Sequence, residues 1–243
     1  YETRGSAVRT PKMSVTKDMR WEQDFKVPEM LDTANADSWD SYLSLMNEVN
    51  RMNPEQRIAW GKYYFPRNRR LLEARLTGKE LDEWKYQNYI RDYMSVIKSV
   101  DESVGRVLDY LDSHGLTDNT IIVYTSDQGF YMGEHGWFDK RFMYEESLRT
   151  PLLIAYPGHI QPGTVCNKLV QNIDYAPTFL DLAGISKPKE LPGRSLTPIF
   201  KAGDKVKGWR NSIYYHYYDY PTYHMVRKHD GVRTDRYKLI HFY

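Results

Sequence analysis

The strongest hydrophobic pattern in the chain runs from Asp82 to His114, where apolar side chains recur every three or four residues. Positions at this spacing share one face of a helix, so the pattern predicts one long amphipathic helix. Gly115 follows the pattern directly and is a typical residue for ending a helix. The apolar face consists of Tyr86, Tyr89, Ile90, Tyr93, Ile97, Val100, Val104, Leu108 and Leu111.

Shorter apolar runs predict strands after this helix. Residues 120–124 are β-branched and apolar, as in a buried strand, and residues 152–156 form a second such run. Residues 212–218 and 233–242 alternate polar and apolar side chains, which is typical of strands with one buried face. The order of helix, turn and buried strand predicts an α/β fold with a mostly parallel sheet flanked by helices. The late pair of strands predicts the start of a smaller C-terminal antiparallel sheet.

The remaining segments predict short helices and loops. Residues 142–148 and 174–183 fit helices, and Gly184 closes the second one. Residues 38–80 mix aromatic and charged residues, as in short helices, with Asn53 as an N-cap and Pro54 at a first helical position. Residues 1–30 predict loop or extended chain, and residues 185–208 predict a surface excursion.

Composition and charge exclude several classes of protein. The 243 residues carry 34 Lys and Arg against 32 Asp and Glu, and a net charge of +2 argues against a nucleic-acid binder with a basic face. No stretch reaches the roughly 18 apolar residues of a membrane span. Cys166 is the only cysteine, which rules out an internal disulfide and a cysteine-based zinc cluster. The chain stops at Tyr243 within an apolar run, so we expect a piece of a longer protein.

The loop after the first predicted strand concentrates side chains that bind ligands. It reads TSDQGFYMGEHGWFDK, from Thr125 to Lys140. In open α/β sheets, ligands bind beyond the carboxyl ends of the strands, where Asp127 and Gln128 lie. Their oxygens are hard donors that suit Ca²⁺ or Mg²⁺, but Ca²⁺ takes about six to eight oxygens. Any such site must therefore be completed from elsewhere.

Other side chains of the same loop suit an anionic group. Lys140 supplies a point charge, and His135 donates to an anion or transfers a proton. Three glycines allow the backbone to turn sharply near a ligand, namely Gly129, Gly133 and Gly136. The alternative is a plain loop, in which the aspartate caps a turn and the histidine and lysine are solvated.

The stretch from Thr125 to Gly158 closely resembles the sulfatase family. The matching elements are S-D-x-G, then G-E-H-G-x-x-x-K, then a short helix and R-x-P-L before a strand. The segments VDESVGRVLDYLDSHGLTDNTIIVYTSD and NIDYAPTFLDLAG are also similar to that family. The resemblance covers residues 85–243, and residues 1–80 resemble the family only loosely.

This resemblance implies an alkaline-phosphatase-like α/β fold and the cleavage of sulfate esters. It places Asp127 and Gln128 on the acid and amide positions of a Ca²⁺ site, with Mg²⁺ as the less favoured ion. Lys140 falls on the lysine that holds the sulfate, and His135 lies beside it in the motif as a second catalytic candidate. The family's nucleophile is a formylglycine, which as its hydrate attacks sulfur while the alcohol leaves.

The chain departs from the family pattern at this nucleophile. Formylglycine is made within C-x-P-S-R or S-x-P-S-R, neither of which occurs here, and Cys166 stands in the different context T-V-C-N-K-L. We therefore expect the formylglycine and two further acidic ligands upstream of Tyr1, and we expect these 243 residues alone to be inactive. Residues 1–208 would be the C-terminal part of a sulfatase catalytic domain, and residues 209–243 the beginning of a C-terminal antiparallel subdomain.

Two late histidines are candidates for sugar contact. The segments around His224 and His229 resemble sulfatases that act on sulfated sugars, notably those similar to N-acetylglucosamine-6-sulfatase. Tyr and His stack on or hydrogen-bond sugars, and Arg or Lys holds a carboxylate or sulfate. The alternative is a polar hairpin loop with ordinary surface charges. Nearby, His216 alternates with tyrosines on a strand, and the four-residue spacing of Glu145 and Arg149 predicts a structural ion pair.

These features predict a fragment of a sulfatase whose partner is a sulfated carbohydrate of the glycosaminoglycan or mucin type. Two other functions stay open, namely a phosphonate or phosphodiester hydrolase of the same superfamily and a non-catalytic sugar-binding remnant. The resemblance implies export, to the periplasm, the cell surface or the lysosome. The sequence leaves the sugar, the position of its sulfate and the oligomeric state open.

Overall fold

The computed structural model describes residues 5–28 and 51–243. The helices in these ranges are α1 (Ser6–Arg9), α2 (Pro54–Ala74), α3 (Gly78–Ser113), α4 (Glu145–Leu148), α5 (Tyr175–Leu182) and α6 (Thr197–Ala202). The strands are β1 (Ile122–Thr125), β2 (Tyr131–Met132), β3 (Phe138–Asp139), β4 (Leu152–Ala155), β5 (Ser212–Tyr217), β6 (His229–Thr234) and β7 (Lys238–Phe242). Single 3₁₀ turns cover Thr117–Asn119, Glu134–Gly136, Asn172–Asp174 and Gly203–Lys205.

The chain divides into two compact units. The sheet unit contains Glu102–Tyr131, Asp139–Tyr243 and residues 5–12, and the helix unit contains Met132–Phe138 and the described part of Met13–Asp101. Each unit has its own buried core, with Met13 and Phe25 in the helix unit and Tyr131, Phe142 and Met143 in the sheet unit. The boundary expected between residues 208 and 209 falls inside the sheet unit and stays a prediction.

The start of α2 in the helix unit is confirmed at Asn53. Asn53 Oδ1 accepts a hydrogen bond from the backbone N–H of Gln56 (2.8 Å), and the Gln56 side chain accepts one from the N–H of Asn53 (3.0 Å). This capping box satisfies two donors at the helix start. With 21 residues, α2 is one long helix instead of the short ones expected, because charged positions interrupt its apolar period. Residues 38–50 lie outside the described residues.

Two side chains of α2 hold the loop of residues 13–28 in the helix unit. Arg67 Nη2 donates to the carbonyl of Phe25, and Asn68 Nδ2 donates to the carbonyl of Lys26 (2.6 Å). Lys26 has a φ of 58°, a left-handed conformation that residues other than glycine rarely adopt. The two hydrogen bonds therefore stabilise a turn that local sterics disfavour.

The predicted long helix is confirmed as α3, which has 36 residues and begins four residues before Asp82. Its apolar face is only partly covered by the described residues. Tyr89 is buried, whereas Ile97, Val100 and Leu108 are exposed. No helix in the described ranges combines the length and the apolar character that crossing a membrane requires.

β1 and β4 pair in an antiparallel ladder, with Ile122 opposite Ala155 and Thr125 opposite Leu152. Both strands lie within two residues of their predicted positions, but the expected parallel arrangement does not extend to this pair. Parallel neighbours need a crossover, usually through a helix, that returns the chain to the end where the first strand began. The segment between β1 and β4 holds the site loop and only the four-residue α4, so β4 starts beside the end of β1.

The predicted C-terminal antiparallel sheet is confirmed, with three strands instead of two. β6 lies between β5 and β7 and is antiparallel to both. The alternating pattern predicts one strand over residues 233–242, but the chain reverses at Asp235 and Arg236. Thr234 N–H donates to the Tyr237 carbonyl (2.7 Å), and Tyr237 N–H donates to Thr234 Oγ1 (2.8 Å). This turn lacks the Asn-Gly or Asp-Gly pair that signals a hairpin in a sequence.

A buried carboxylate joins three segments of the sheet unit. Asp174 has no exposed surface. It accepts hydrogen bonds from Arg210 Nη2 (2.7 Å) and from the backbone N–H groups of Gln171 and Arg194 (2.8 Å each). A buried charge is stable where it is paired and fully hydrogen-bonded, as it is here. Asp174 thus fixes the start of α5 against the chain that leads into β5.

Candidate functional site

The predicted site loop begins where β1 ends. The Thr125 hydroxyl donates to the Pro151 carbonyl (2.9 Å), which ties the end of β1 to the residue before β4. Ser126 Oγ donates to the Gln128 carbonyl (2.8 Å) and folds the next residues into a tight turn. Asp127 is exposed and Gln128 is half-buried. The turn therefore presents both predicted metal ligands at the end of the strand.

The side chain of Gln128 joins two other predicted site residues. The amide orientation that satisfies its neighbours has Nε2 donating to Asp127 Oδ2 (3.0 Å) and Oε1 accepting from Lys140 Nζ, and we assign this orientation. The structure thus brings Asp127, Gln128 and Lys140 together in one hydrogen-bonded row. A carboxylate at one end and an ammonium at the other suit a cation and an anion bound side by side.

Helix α4 holds the backbone at both ends of this row, at Lys140 and at Gly129, the residue after Gln128. Ser147 Oγ donates to the carbonyl of Lys140, and the carbonyl of Ser147 accepts from the N–H of Gly129 (2.8 Å). A Cβ atom at Gly129 would lie 2.0 Å from the Glu146 carbonyl oxygen, so the close approach requires glycine. Glycine is therefore required at this position for close packing against α4, and not for the sharp turn that the sequence predicts.

Asp139 and Arg141, on either side of Lys140 in sequence, form a polar group with His224. Asp139 pairs with the Arg141 guanidinium, and Asp139 Oδ1 lies 3.6 Å from His224 Nε2. His224 Nδ1 donates to the Lys12 carbonyl (3.0 Å). Asp139 has a left-handed φ of 76°, and such strain in a non-glycine residue concentrates at functional sites. His224, a predicted sugar contact, is thus placed beside the segment that carries Lys140.

His229, the other predicted sugar contact, is fully buried in the C-terminal sheet. Its ring centroid lies 5.2 Å from those of Tyr217 and Phe242, and Nδ1 donates to the Arg227 carbonyl (2.8 Å). Burial lowers the pKa of His229, which favours the neutral ring. The structure gives His229 no surface for a sugar, because its ring belongs to the core beneath the sheet.

His135 belongs to the helix unit, within the 3₁₀ turn Glu134–Gly136. It is half-buried, with a φ of 61° and a ring centroid 5.4 Å from that of Trp137. Gly133 (φ 112°) and Gly136 (φ 73°) provide the left-handed turns expected of them. A Cβ at Gly133 would also lie 2.3 Å from a ring carbon of Tyr86. The catalytic role of His135 stays a prediction.

The predicted ion pair between Glu145 and Arg149 is wrong. Glu145 pairs with Lys238 Nζ (2.6 Å) and with Arg233 Nη2 (3.3 Å). Helix α4 ends at Leu148, so the four-residue spacing no longer places Arg149 on the same helix face. Burial raises the pKa of the Glu145 carboxyl, but the hydrogen bonds and charges of Arg233 and Lys238 outweigh it, and the pKa is lowered. Glu145 thereby links α4 to the C-terminal sheet.

Sequence reasoning missed three residues around Lys140. Asp139 leaves a signal, because a charged residue that directly follows the large apolar Trp137 and Phe138 is rarely buried without a partner, and Arg141 is a nearby cation that could pair with it. Ser147 leaves no such signal, since a serine in a short helix is read as an ordinary polar position. Its importance comes from contacts with residues that lie apart from it in the sequence.

The donors fit a hard divalent cation as part of a larger site. Asp127 and Gln128 supply a carboxylate and an amide oxygen, which are Ca²⁺ ligands, and Asp127 is exposed. Within residues 5–28 and 51–243, no group of three His, Cys, Asp or Glu side chains is placed to hold a metal ion. By donor type these two residues fit two positions of a Ca²⁺ site, but the Gln128 oxygen faces Lys140 in the assigned orientation and would have to turn toward the ion, so the two do not form a complete site.

Solved structures define the fold class of the chain. It is similar to the structure of BT4656 in complex with its substrate D-glucosamine-2-N,6-O-disulfate, with a TM-score of 0.89 and 47% identity over all of this chain and 49% of that one. It is also similar to phosphonate monoester hydrolase from Silicibacter pomeroyi, with a TM-score of 0.58 and 29% identity over 65% of this chain and 33% of that one. These similarities confirm the predicted alkaline-phosphatase-like fold class.

Family models identify the chain within that class. The sulfatase model matches residues 13–185, and the model of the C-terminal part of N-sulphoglucosamine sulphohydrolase matches residues 133–243. The chain is 47% identical over 248 residues to the N-acetylglucosamine-6-O-sulfatase of Bacteroides thetaiotaomicron. The chain belongs to the sulfatase family, as its motifs predict. That alignment covers all of this chain and 43% of the length of the relative.

Proposed function

We propose that the full-length protein is a sulfatase that hydrolyses the sulfate ester of a sulfated glucosamine. The observation that carries this proposal is the convergence of Asp127, Gln128 and Lys140 through the Gln128 amide. Support for the sugar comes from the relative named N-acetylglucosamine-6-O-sulfatase and from BT4656, whose bound substrate is D-glucosamine-2-N,6-O-disulfate. Because the chain spans less than half of each, the activity is proposed for the whole protein.

Lys140 is proposed to bind the sulfate and to stabilise the transition state. Its ammonium lies within hydrogen-bonding distance of the Gln128 amide, so the charge lies next to the acid and amide that precede it in the loop. During sulfuryl transfer, negative charge grows on the leaving oxygen. A fixed cation stabilises that state more than the ground-state ester, and this difference increases kcat. The protonated amine also offers a hydrogen bond to the leaving oxygen.

Asp127 and Gln128 are proposed to hold Ca²⁺, together with ligands from elsewhere in the full-length protein. When bound, the ion supplies electrostatic stabilisation of the sulfate oxygens. Asp127 contributes negative charge that offsets the ion. Gln128 contributes a neutral oxygen, which is the atom that accepts from Lys140 in this structure.

The covalent step is not assigned to any described residue. The family pattern implies a formylglycine, and the 243 residues contain neither C-x-P-S-R nor S-x-P-S-R. The residues of this chain bind the ester, orient it and neutralise its charge. We propose accordingly that the 243 residues alone are inactive and that the full-length protein is exported, as the family resemblance implies.

Asp139, Arg141 and His224 are proposed to contact the sugar next to the sulfate. They offer a carboxylate acceptor, guanidinium donors and an imidazole nitrogen, which suit sugar hydroxyls. The Arg141 side chain is 25% exposed, against 11% each for Asp139 and His224, so it has the largest surface for a ligand. His229 is left out of this group because its ring is fully buried.

Turnover of a small set of esters by the full-length protein tests the proposed reaction. We expect N-acetylglucosamine-6-sulfate to be cleaved at least about 10²-fold faster than a phosphonate monoester, because the site is built around one ester chemistry. A preference for the phosphonate would favour the second candidate, to which the similarity with phosphonate monoester hydrolase points. Binding of the sulfated sugar without turnover of either ester would favour the non-catalytic remnant.

The sugar contacts are tested by comparing two sulfate esters. Arg141→Ala and His224→Ala should raise KM for N-acetylglucosamine-6-sulfate and leave KM for a small aryl sulfate close to that of the wild type. His229→Ala serves as the contrast, since its side chain lies in the core and should affect stability instead. Equal effects of Arg141→Ala on both esters would remove Arg141 from the sugar contacts.

A further inference from the structure

Ser147 bonds to both segments that form the proposed pocket. Its hydroxyl donates to the carbonyl of Lys140, and its carbonyl accepts the N–H of Gly129 (2.8 Å), the residue after Gln128. Only 5% of Ser147 is exposed, so water competes little for these bonds. One residue of α4 therefore connects the turn with the acid and amide to the segment with the lysine.

The hydroxyl of Ser147 fixes a segment that no regular secondary structure holds. β3 ends at Asp139, so Lys140 lies beyond the strand. Asp139 has a left-handed φ of 76°, which is disfavoured for any residue with a Cβ. Such a turn persists only when its surroundings hold it. The Ser147 hydroxyl supplies one such contact at the backbone of the residue whose side chain carries the charge.

The structure assigns Ser147 the role of a positioning residue for Lys140. It does not touch the ester, and it acts by fixing the Lys140 backbone so that Nζ stays beside Gln128. This assignment rests on the proposed function, because the position of Lys140 affects turnover only if Lys140 serves the sulfate. The bond from Gly129 goes to the Ser147 backbone, so a change of side chain removes the Lys140 bond and leaves the Gly129 bond in place.

A double-mutant cycle in the full-length protein separates positioning from a general structural role. The four proteins are the wild type, Ser147→Ala, Lys140→Ala and the double variant, with kcat and KM measured on N-acetylglucosamine-6-sulfate. In the wild-type background, we expect Ser147→Ala to lower kcat about tenfold with little change in KM, because a misplaced catalytic group loses rate steeply. In the Lys140→Ala background, it should change kcat by less than about twofold.

The outcomes of the cycle distinguish the positioning role of Ser147 from the proposed function of the protein. An equal loss of kcat from Ser147→Ala in both backgrounds overturns the positioning role, and the proposed function stands if Lys140→Ala is itself impaired. Wild-type turnover by Lys140→Ala overturns the proposed role of Lys140 and the positioning role together, whereas failure of the wild-type protein to cleave the sulfate ester overturns the proposed function. Wild-type turnover by Ser147→Ala alone overturns only the positioning role.

Thr178→Val provides a matched control for lost stability. Thr178 is another buried residue whose hydroxyl donates to a backbone carbonyl, that of Asp174 (2.6 Å), outside the proposed pocket. We expect a lower Tm and an unchanged kcat. If Thr178→Val lowers kcat as far as Ser147→Ala does, the effect comes from general destabilisation and the assignment is wrong.

Ser147→Cys covers the case in which the alanine variant does not fold. Cysteine keeps nearly the same volume and a weak S–H donor. The positioning role is supported if Ser147→Cys has a kcat between those of the wild type and Lys140→Ala, and if Ser147→Cys leaves kcat nearly unchanged in the Lys140→Ala background. An unchanged kcat in Ser147→Cys, together with a lowered Tm, overturns it.

Discussion

The backbone at Gly129 passes so close to the carbonyl of Glu146 that a Cβ at Gly129 would lie 2.0 Å from that oxygen. The N–H of Gly129 also donates to the carbonyl of Ser147 (2.8 Å). Close packing against α4, and not a left-handed φ, therefore explains the glycine. The acid and amide of the proposed pocket directly precede this contact, so their position depends on it.

Gly129→Ala should lower the free energy of unfolding by about 1–3 kcal/mol, because the added methyl must displace the loop or α4. Either movement shifts Gln128 relative to Lys140, so turnover by the full-length protein should fall as well. Chemical denaturation and a turnover assay measure the two effects.

Gly105→Ala is the matched control for this substitution. A Cβ at Gly105, inside α3, meets no atom within 4 Å. Alanine should stabilise the helix there by about 0.5–1 kcal/mol relative to glycine. If Gly129→Ala is as stable and as active as the wild type, the loop adapts to the methyl and the contact does not position the pocket.

Asp174→Asn should lower the free energy of unfolding by about 3–5 kcal/mol. The new NH₂ group faces donors from Gln171, Arg194 and Arg210, and the guanidinium loses its carboxylate. Urea denaturation followed by tryptophan fluorescence measures the change. Asp112→Asn, at an exposed position of α3, should shift stability by less than about 0.5 kcal/mol. Equal, small shifts in both variants would contradict the structural role of Asp174.

The stability of the sheet unit should depend on pH through His229. Burial lowers its pKa below the ordinary value of 6.5, with an added effect of His216 and opposing ones of the hydrogen bond to the Arg227 carbonyl and of Asp230. The contribution of the neutral ring is therefore fully present above pH 6.5 and is lost as the pH falls through the folded pKa. His229→Phe should lose less stability than the wild type on acidification from about pH 7 to about pH 5.

Urea denaturation at a series of pH values measures this dependence. His159→Phe, at an exposed position, is the control and should keep the wild-type slope. The same slope in His229→Phe as in the wild type would mean that His229 does not contribute to the loss of stability in acid.

The sequence alone was sufficient to identify the site residues that lie together in one loop. Asp127, Gln128 and Lys140 belong to one motif after a predictable strand, and the structure brings them together. Their hydrogen bonds could not be predicted, because they depend on the left-handed turn at Asp139 and on the hydroxyl of Ser147. Such contacts are set by tertiary packing and leave no periodic pattern.

The same contrast between local pattern and tertiary packing applies to the fold. The 36-residue α3 follows from its period, and the presence and antiparallel direction of the C-terminal sheet follow from alternation, although the number of its strands does not. The antiparallel pairing of β1 with β4 does not, because strand direction depends on the path of the loop between them. The turn between β6 and β7 was missed because Asp235 and Arg236 carry no hairpin signature. Burial of His229 was missed because the pattern placed it in a polar loop between two strands, whereas His229 begins β6.

Asp127→Asn in the full-length protein should weaken Ca²⁺ binding at least about tenfold, or about 1.4 kcal/mol, because the ion loses a charged ligand. Isothermal titration calorimetry measures the affinity. Asp118→Asn, an exposed aspartate in the turn before β1, should bind Ca²⁺ like the wild type. Wild-type affinity in Asp127→Asn would remove Asp127 from the ligands of the ion.

The most direct test of the proposed pocket is the kcat of Lys140→Ala in the full-length protein on N-acetylglucosamine-6-sulfate, beside Lys201→Ala as an exposed control. Loss of the fixed ammonium should lower kcat about 10²-fold or more, because it removes stabilisation of the charge that develops during sulfuryl transfer. Lys201→Ala should retain wild-type turnover. A Lys140→Ala protein that turns over at the wild-type rate would contradict the assignment of Lys140 to the sulfate pocket.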